Sequence, residues 1–186
     1  TKMIIIIEGP PASGKSTLLS NIKEKYKDSR INLITEFGSG QLGQIIHKNI
    51  TTQGSITDDP VWETFILFAN ALEKQNQIDK KKINIMDTFI DAIKAHQVVK
   101  IGQEMYSKIE QIFKPYLLKP DVYIFLNSNP KTLLSRIRQR SGLLNCSSKD
   151  FFMNVFAYYK KYKYISIDSA ENKFKKIYKT WKNLKK

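Results

Sequence analysis

Short apolar runs alternate along the chain with longer segments in which apolar residues recur at helical spacing. Five runs are strand candidates, at residues 3–7, 31–35, 83–87, 121–126 and 164–167. Most of them are continuous and rich in Ile and Val, which is typical of strands buried on both faces of a parallel sheet. The intervening segments predict helices at residues 15–27, 60–80, 89–113, 130–140, 148–161 and 170–184.

This alternation predicts an α/β fold, with a five-stranded parallel sheet flanked by helices and joined by right-handed crossovers. The length of 186 residues favours one domain that spans residues 1–186. Ligands in such folds bind beyond the carboxyl ends of the strands. The residues expected at that edge are those of the loop 8–14, Glu36, Asp87, Asn127 and Asp168.

Composition narrows the class of protein. The longest purely apolar run, residues 3–7, is too short to cross a bilayer, and the sequence after it does not resemble a signal peptide. A single cysteine, Cys146, excludes an internal disulfide. We therefore expect a cytoplasmic protein without a membrane partner. His47 and His96 have no metal-ligand spacing with Cys146, so no zinc site is expected.

The formal net charge of +14 has two interpretations. A basic chain attracts polyanions, so nucleic acid is one candidate partner. Alternatively, the many lysines are solvated surface residues of a chain encoded by an AT-rich genome. Charge by itself describes non-specific attraction and leaves both interpretations open.

A phosphate-binding loop follows the first strand candidate. Residues 9–16 match the pattern G-x-x-x-x-G-K-[ST] between a buried strand and a predicted helix. Glycines allow the backbone N–H groups to surround phosphate, and the positive end of the helix points at the same charge. The pattern predicts ATP with Mg²⁺: Lys15 on the β- and γ-phosphates, Ser16 on Mg²⁺ and Thr17 on the α-phosphate. The nucleotide-binding set is Gly9, Ala12, Ser13, Gly14, Lys15, Ser16 and Thr17. The alternative is an ordinary glycine turn.

A carboxylate is expected beside this loop. Asp87 ends the apolar run that begins at residue 83. An acid at the tip of a central strand can hold Mg²⁺ directly or through water, so Asp87 joins Ser16 as a predicted metal ligand. The alternative is that Asp87 only caps the following helix.

Three of the four arginines fall within five residues, at Arg136, Arg138 and Arg140. Arg136 and Arg140 are four residues apart, so they share one face of a helix. Guanidinium groups donate to two phosphate oxygens at once and can neutralise charge that develops on a transferring phosphoryl group. Both arginines are therefore candidate catalytic residues, and Arg136 is also a candidate contact to ATP. A solvated basic face is the alternative.

Taken in order, these motifs resemble the thymidylate kinase family nearly end to end. The matching segments are 7–17 (I-E-G-x-x-x-x-G-K-S-T), 35–44 (T-R-E-P-G-G-T-x-L-G-E), 67–72 (L-F-A-A-D-R), 87–89 and 95–97 (D-R-[YH] and A-Y-Q), 120–122 (P-D-L), 136–142 (the R-x-R-x-R-G lid), 151–152 (F-F) and 167–168 (I-D). The resemblance implies a P-loop kinase fold and phosphotransfer from ATP to a nucleotide. It also implies a short Arg-rich lid at about residues 136–149, a nucleotide-binding role for Asp168, and pairing of two copies through helices.

The acceptor half departs from the family. The arginines that the family places in T-R-E-P, F-A-A-D-R and D-R-[YH] are Thr35, Leu72 and Thr88 here, and Pro11 replaces the carboxylate of the P-loop. Loss of several charge-assisted hydrogen bonds should weaken ordinary dTMP binding. Lysines such as Lys74 or Lys94 could substitute as point charges.

One hypothesis is therefore a kinase that phosphorylates a nucleoside or an altered nucleotide. Glu36 is the candidate general base, as in the related deoxynucleoside kinases. Phe68 could stack on the base, although a core position is as good an interpretation. Gln97 could contact a base edge, or it could be a solvated polar residue.

Two further hypotheses stay open. The acceptor hydroxyl could belong to nucleic acid, as a 5-hydroxymethyluracil base in DNA or a polynucleotide 5′ end, which would explain the charge and the missing arginines together. Chemistry on such a base would require it to be flipped out of the duplex. Alternatively, the chain is an inactive nucleotide-binding module, against which the retention of Lys15, Ser16 and Asp87 argues.

Overall fold

The computed structural model describes residues 3–139, 148–162 and 167–183. Within them, four strands alternate with seven helices and one 3-10 turn. The order is β1 (Met3–Glu8), α1 (Lys15–Tyr26), β2 (Ile31–Ile34), α2 (Gln41–Gln53), α3 (Pro60–Gln75), β3 (Ile83–Asp87), α4 (Ile90–Phe113), the 3-10 turn Lys114–Tyr116, β4 (Val122–Phe125), α5 (Pro130–Gln139), α6 (Lys149–Tyr159) and α7 (Ile167–Asn183).

The strands form one parallel sheet in the order β2-β3-β1-β4, which confirms the predicted α/β fold with helices around a parallel sheet. The described sheet has four strands rather than the five expected. Residues 164–166 of the predicted fifth strand lie outside the described residues, and Ile167 begins α7. In the register of the sheet, Ile7 lies beside Asp87 and Glu8 beside Phe125. The loop after β1 therefore starts between the ends of β3 and β4.

Alternate residues of β1 face opposite sides of the sheet, as the period of a strand requires. Ile5 and Ile7 pack in a cluster with residues of α1 and α7, including Leu18 and Phe174. Ile4 and Ile6 pack on the other side with residues of α3 and α4, such as Phe68, Tyr106 and Ile109. Helices thus cover both faces of the sheet, which explains why its strands are continuous apolar runs.

Helix starts differ in how clearly the sequence marks them. The side chain of Asp59 accepts hydrogen bonds from the backbone N–H groups of Val61 (2.7 Å) and Trp62 (3.3 Å), so the predicted start of α3 is confirmed. Helix α2 was not predicted. It follows Gly40 with no side-chain cap and no acidic residue in its first turn, so the usual start signals are missing.

No helix among residues 3–139, 148–162 and 167–183 is both long enough and apolar enough to cross a membrane.

Candidate active site

A cavity of about 340 Å³ opens at the carboxyl edge of the sheet. It is lined by the loop that follows β1, by the segments after β2 and β3, and by residues of α2, α3, α4, α5 and α6. This is the edge at which ligands bind in open α/β sheets. The volume is within the range of small-molecule sites.

Two glycines in the loop after β1 lie very close to other parts of the chain. A Cβ atom on Gly9 would lie 2.1 Å from the backbone oxygen of Leu126, so only glycine fits there. Gly14 has φ +102°, in the left-handed region, and a Cβ there would lie 2.8 Å from Cδ1 of Ile167. Gly14 is also the N-cap of α1, and that helix has neither a side-chain cap nor an acidic residue in its first turn. The first N–H groups of α1 are therefore left for an anionic ligand.

Two side chains beside this loop offer donors of the kind that bind phosphate, the Lys15 ammonium and the Ser13 hydroxyl. The Nζ atom of Lys15 donates to the backbone oxygen of Gly9 at 2.9 Å, which holds the ammonium across the loop. The Oγ atom of Ser13 is buried and has no hydrogen-bond partner among the described residues. Ser16 and Thr17 are exposed in the first turn of α1, and Ser16 lines the cavity. Of the predicted ATP-binding residues between positions 9 and 17, all except Thr17 line the cavity.

Asp87 lies at the end of β3 and is only 7% exposed. Burial raises the pKa of its carboxyl, while the nearby Lys15 ammonium opposes this change and the Glu36 carboxylate adds to it. The hydroxyl of Thr88 donates to Oδ1 of Asp87 at 3.0 Å. The structure therefore places the predicted metal ligand within electrostatic reach of both the loop lysine and the predicted general base.

Glu36 follows β2 and is exposed to the cavity. Its backbone oxygen accepts a hydrogen bond from Lys74 at 2.6 Å, which anchors the segment while the carboxylate remains accessible. This position suits a group that must reach an acceptor hydroxyl and exchange its proton with solvent.

Arg136 reaches the phosphate-binding loop from α5. Its Nη1 atom donates to the backbone oxygen of Ala12 at 3.3 Å. Arg140 and residues 140–147 of the predicted lid lie outside the described residues. Asp168 is exposed in the first turn of α7 and does not line the cavity, although its neighbour Ile167 packs beside Gly14.

The prediction that Phe68 stacks on a substrate base is wrong. Phe68 is fully buried, and its ring stacks on that of Phe113 with centroids 4.9 Å apart and planes 5° apart. The face of α3 that lines the cavity consists of Glu63, Leu67, Asn70, Ala71 and Lys74. Leu67 and Ala71 therefore face the cavity, and each lies one residue before a position that the family motif indicated, Phe68 and Leu72 respectively.

Gln97 lines the cavity as predicted, but it belongs to a polar cluster that the sequence analysis missed. Its Nε2 atom donates to Oε1 of Glu63 at 2.8 Å, and its Oε1 atom accepts from the hydroxyl of Thr64 at 3.0 Å. Nζ of Lys100 donates to the same Glu63 oxygen at 2.5 Å. Gln97 is 1% exposed, so the alternative of a solvated position is wrong. The sequence signal for this cluster was the presence of polar residues on otherwise apolar faces of two helices, α3 and α4.

A second missed residue is Glu8, at the end of β1. It is completely buried, and its Oε1 atom accepts from the backbone N–H of Phe89 at 2.6 Å. Its Oε2 atom has no partner among the described residues. Burial raises the pKa of this carboxyl to about 8, with a further contribution from the Asp91 carboxylate. Glu8 is therefore protonated at neutral pH.

Glu8→Gln is expected to flatten the decrease of stability with rising pH. Between the ordinary carboxyl value of 4.5 and about 8, the folded state holds a proton that the unfolded state has lost. The free energy of unfolding therefore falls as pH rises, by up to about 1.4 kcal/mol per pH unit, and glutamine removes this dependence. Urea unfolding at pH 5.5 and pH 8 measures the effect. The exposed Glu104→Gln is the control, and identical pH profiles for wild type and Glu8→Gln would contradict the assignment.

Within the described residues, no three His, Cys, Asp or Glu side chains are close enough to hold a metal ion by themselves. Mg²⁺ in kinases is usually held by one or two protein groups together with phosphate oxygens. The pair Ser16 and Asp87 fits that pattern, because both lie at the edge where the phosphates are expected.

Comparison with known proteins gives one consistent result. The family model described as thymidylate kinase matches residues 7–179. A thymidylate kinase from Mycoplasma capricolum is 28% identical, over 99% of this chain and 82% of the relative. One from Malacoplasma penetrans is 32% identical, over 72% of this chain and 66% of the relative.

A solved structure has the same fold. The thymidylate kinase from Candida albicans, described as having broad substrate specificity, superposes with a TM-score of 0.71 at 23% identity. The superposition covers 98% of this chain and 93% of that one.

Proposed function

The chain belongs to the thymidylate kinase family, and we propose that it moves the γ-phosphate of ATP to a hydroxyl of a nucleoside-type acceptor rather than to ordinary dTMP. Membership makes it a P-loop kinase and supports phosphotransfer to a nucleotide-type substrate. The proposal beyond this concerns the acceptor. It rests on the hydrogen bonds and ion pairs that the lysines around the cavity already make with the protein.

The donor half of the site accounts for ATP. Lys15 and the first turn of α1 would hold the β- and γ-phosphates, and Arg136 donates to the backbone of the same loop from α5. Ser16 and Asp87 would hold Mg²⁺, which supplies positive charge to the phosphate oxygens when bound. Lys15 and Arg136 would neutralise charge on the phosphoryl group as its bond to the leaving oxygen breaks.

Among residues 3–139, 148–162 and 167–183, the lysines proposed to replace the acceptor arginines are all engaged by protein groups, and this observation carries the proposal. No arginine lines the cavity among the residues that the structure describes. Nζ of Lys74 donates to three backbone oxygens, and Lys100 pairs with Glu63. Lys94, the other proposed substitute, pairs with Glu110 and does not line the cavity.

An acceptor phosphate would need those cations. Charge-assisted hydrogen bonds to phosphate contribute about 1.5–3 kcal/mol each, so a site without them binds a monophosphate weakly. A neutral nucleoside makes no such demand, and the apolar Leu67, Ala71 and Phe89 side chains of the cavity suit its base and sugar. Glu36 would take the proton of the acceptor hydroxyl as the oxygen attacks the γ-phosphorus.

An acceptor screen tests this proposal. Labelled ATP and Mg²⁺ are supplied with deoxynucleosides, with dTMP and other monophosphates, and with DNA that contains 5-hydroxymethyluracil or a free 5′ hydroxyl. We expect label in at least one nucleoside and a kcat/KM for dTMP at least about tenfold lower. Thr88→Arg, which restores the cation at a cavity-lining position, should raise kcat/KM for dTMP selectively.

Other outcomes assign the acceptor differently. Efficient transfer to dTMP by the wild type would refute the proposal. Label found only in DNA would favour the nucleic-acid acceptor, which the net charge of +14 supports, and its affinity should then fall steeply with added salt.

A further inference from the structure

The turn between β3 and α4 is held by two buried side chains from different elements. Nζ of Lys74, on α3, donates to the backbone oxygens of Asp87 at 2.8 Å and Thr88 at 2.6 Å. Oε1 of Glu8, on β1, accepts from the N–H of Phe89 at 2.6 Å. Three successive residues are thus fixed through their backbone from both sides of the turn.

This turn has an unfavourable backbone conformation. Thr88 has φ +62°, in the left-handed region, which β-branched residues rarely adopt. Such a conformation persists only where the surrounding structure enforces it. The hydrogen bonds from Lys74 and to Glu8 supply that enforcement at the residue after the proposed metal ligand Asp87.

Lys74 also reaches the end of the neighbouring strand. Its third hydrogen bond is to the backbone oxygen of Glu36 at 2.6 Å. An ammonium has three donors, and here all three have an acceptor, in a side chain that is only 2% exposed. Burial lowers the pKa of Lys74 to about 8, and the Glu36 and Asp87 carboxylates oppose this change.

We propose that Lys74 is a positioning residue for phosphotransfer, which fixes Glu36 and Asp87 relative to each other by joining the backbones at the ends of β2 and β3. The roles of Glu36 and Asp87 follow from the proposed function, whereas the link between their backbones does not depend on the acceptor. Lys74 acts on the backbone and does not bind substrate phosphate.

The chemistry of the side chain explains why a lysine is needed. Methionine has a similar length and would fill the space, but it would remove the Nζ donor from all three carbonyl oxygens, two of which are in buried hydrogen bonds. Arginine keeps the charge, but its donors lie in a fixed planar fork that does not match three converging oxygens. Without Nζ, the Glu36 segment and the Asp87 turn can move independently, and small displacements of reacting groups reduce rates strongly.

Lys74→Met tests the proposal, with Lys173→Met as a matched control. Nζ of Lys173 also donates to a strand carbonyl, that of Tyr123 on β4, which β1 separates from β3 in the sheet. For Lys74→Met we expect kcat to fall at least tenfold, while KM for ATP changes less than threefold. Amide exchange at Gly38 and Phe89, which flank the two tethered segments, should accelerate, while exchange in α7 stays as in the wild type. The control should keep wild-type kcat and wild-type exchange at both sites.

Several results would overturn the proposal. One is wild-type kcat in Lys74→Met. Another is a uniform acceleration of exchange across the chain, which would show that Lys74 only stabilises the fold. A rise in KM confined to phosphorylated acceptors would instead identify Lys74 as a phosphate ligand.

The wild type provides a measurement that needs neither a variant nor a known acceptor. If Lys74 joins the two segments, the amides of Gly38 and Phe89 should exchange through one opening with a common rate. Independent opening rates would refute the link even if Lys74→Met does not fold. A common rate together with failure of the acceptor screen would refute the proposed function and leave the link standing.

Discussion

Lys15→Ala is expected to abolish Mg²⁺-dependent consumption of ATP, with a fall in kcat of at least about a hundredfold. Removing one preorganised donor from a developing charge typically costs a factor of 10²–10³. Nζ of Lys15 donates to the backbone oxygen of Gly9 and is close enough to Asp87 to affect the pKa of that carboxyl. Its loss would remove charge from both the phosphates and the proposed metal site. Initial rates of ADP release with and without Mg²⁺ measure the effect.

The matched control for this prediction is Lys108→Ala. Lys108 is exposed on α4 and pairs with Glu104 on the same helix, so its removal should leave the rate unchanged. An enzyme that keeps its activity in Lys15→Ala would contradict the assignment of the loop. Equal losses in both variants would indicate a general effect of charge on nucleotide attraction.

The sequence was sufficient to predict the glycine-rich turn between β1 and α1 because its geometry is local. Residues 9–16 carry the close approach at Gly9, the left-handed Gly14 and the start of α1 within one contiguous pattern. The same holds for Asp87, since a buried run that ends in an acid marks both the strand and its tip. The predicted fold class was correct for a similar reason, because strands covered on both faces are continuous apolar runs.

The face of α3 could not be assigned from the sequence. Leu67 and Phe68 are adjacent and both apolar, and the cavity and the core both take apolar side chains. Only the packing of Phe68 against Phe113 shows that the aromatic residue faces the core and the leucine faces the cavity. An error of one position on a helix turns a side chain by about 100°, which moved the expected stacking residue out of the site.

The roles of Lys74 and Glu8 depend on partners that are distant in sequence. Lysine on a helix is normally solvated, and no local pattern indicates that Nζ meets oxygens from Glu36, Asp87 and Thr88. Likewise, a glutamate after an apolar strand suggests a surface position, whereas Glu8 is completely buried against the N–H of Phe89. Buried ionisable residues of this kind become visible only when the sheet order is known.

Glu36→Gln is expected to lower kcat with a nucleoside acceptor by about 10²–10⁴, the usual contribution of a general base. Glutamine keeps the shape of the side chain but cannot take the proton of the attacking hydroxyl. Glu36 is exposed in the cavity, and the hydrogen bond that anchors it to Lys74 uses its backbone oxygen, so the substitution should not disturb the fold. KM for ATP should change little. Single-turnover transfer to the best acceptor of the screen measures the effect, with the exposed Glu104→Gln as control.

The same variant distinguishes a hydroxyl acceptor from a phosphate acceptor. A nucleoside hydroxyl must lose a proton as it attacks, whereas the oxygens of a monophosphate are largely ionised at neutral pH, since the second pKa of a phosphate ester is about 6. A phosphate acceptor therefore needs no base. If Glu36→Gln transfers phosphate to a nucleoside hydroxyl at the wild-type rate, Glu36 is not the base, and its proposed role with a nucleoside fails. A large loss confined to hydroxyl acceptors would identify Glu36 as the general base and would support a nucleoside as the acceptor.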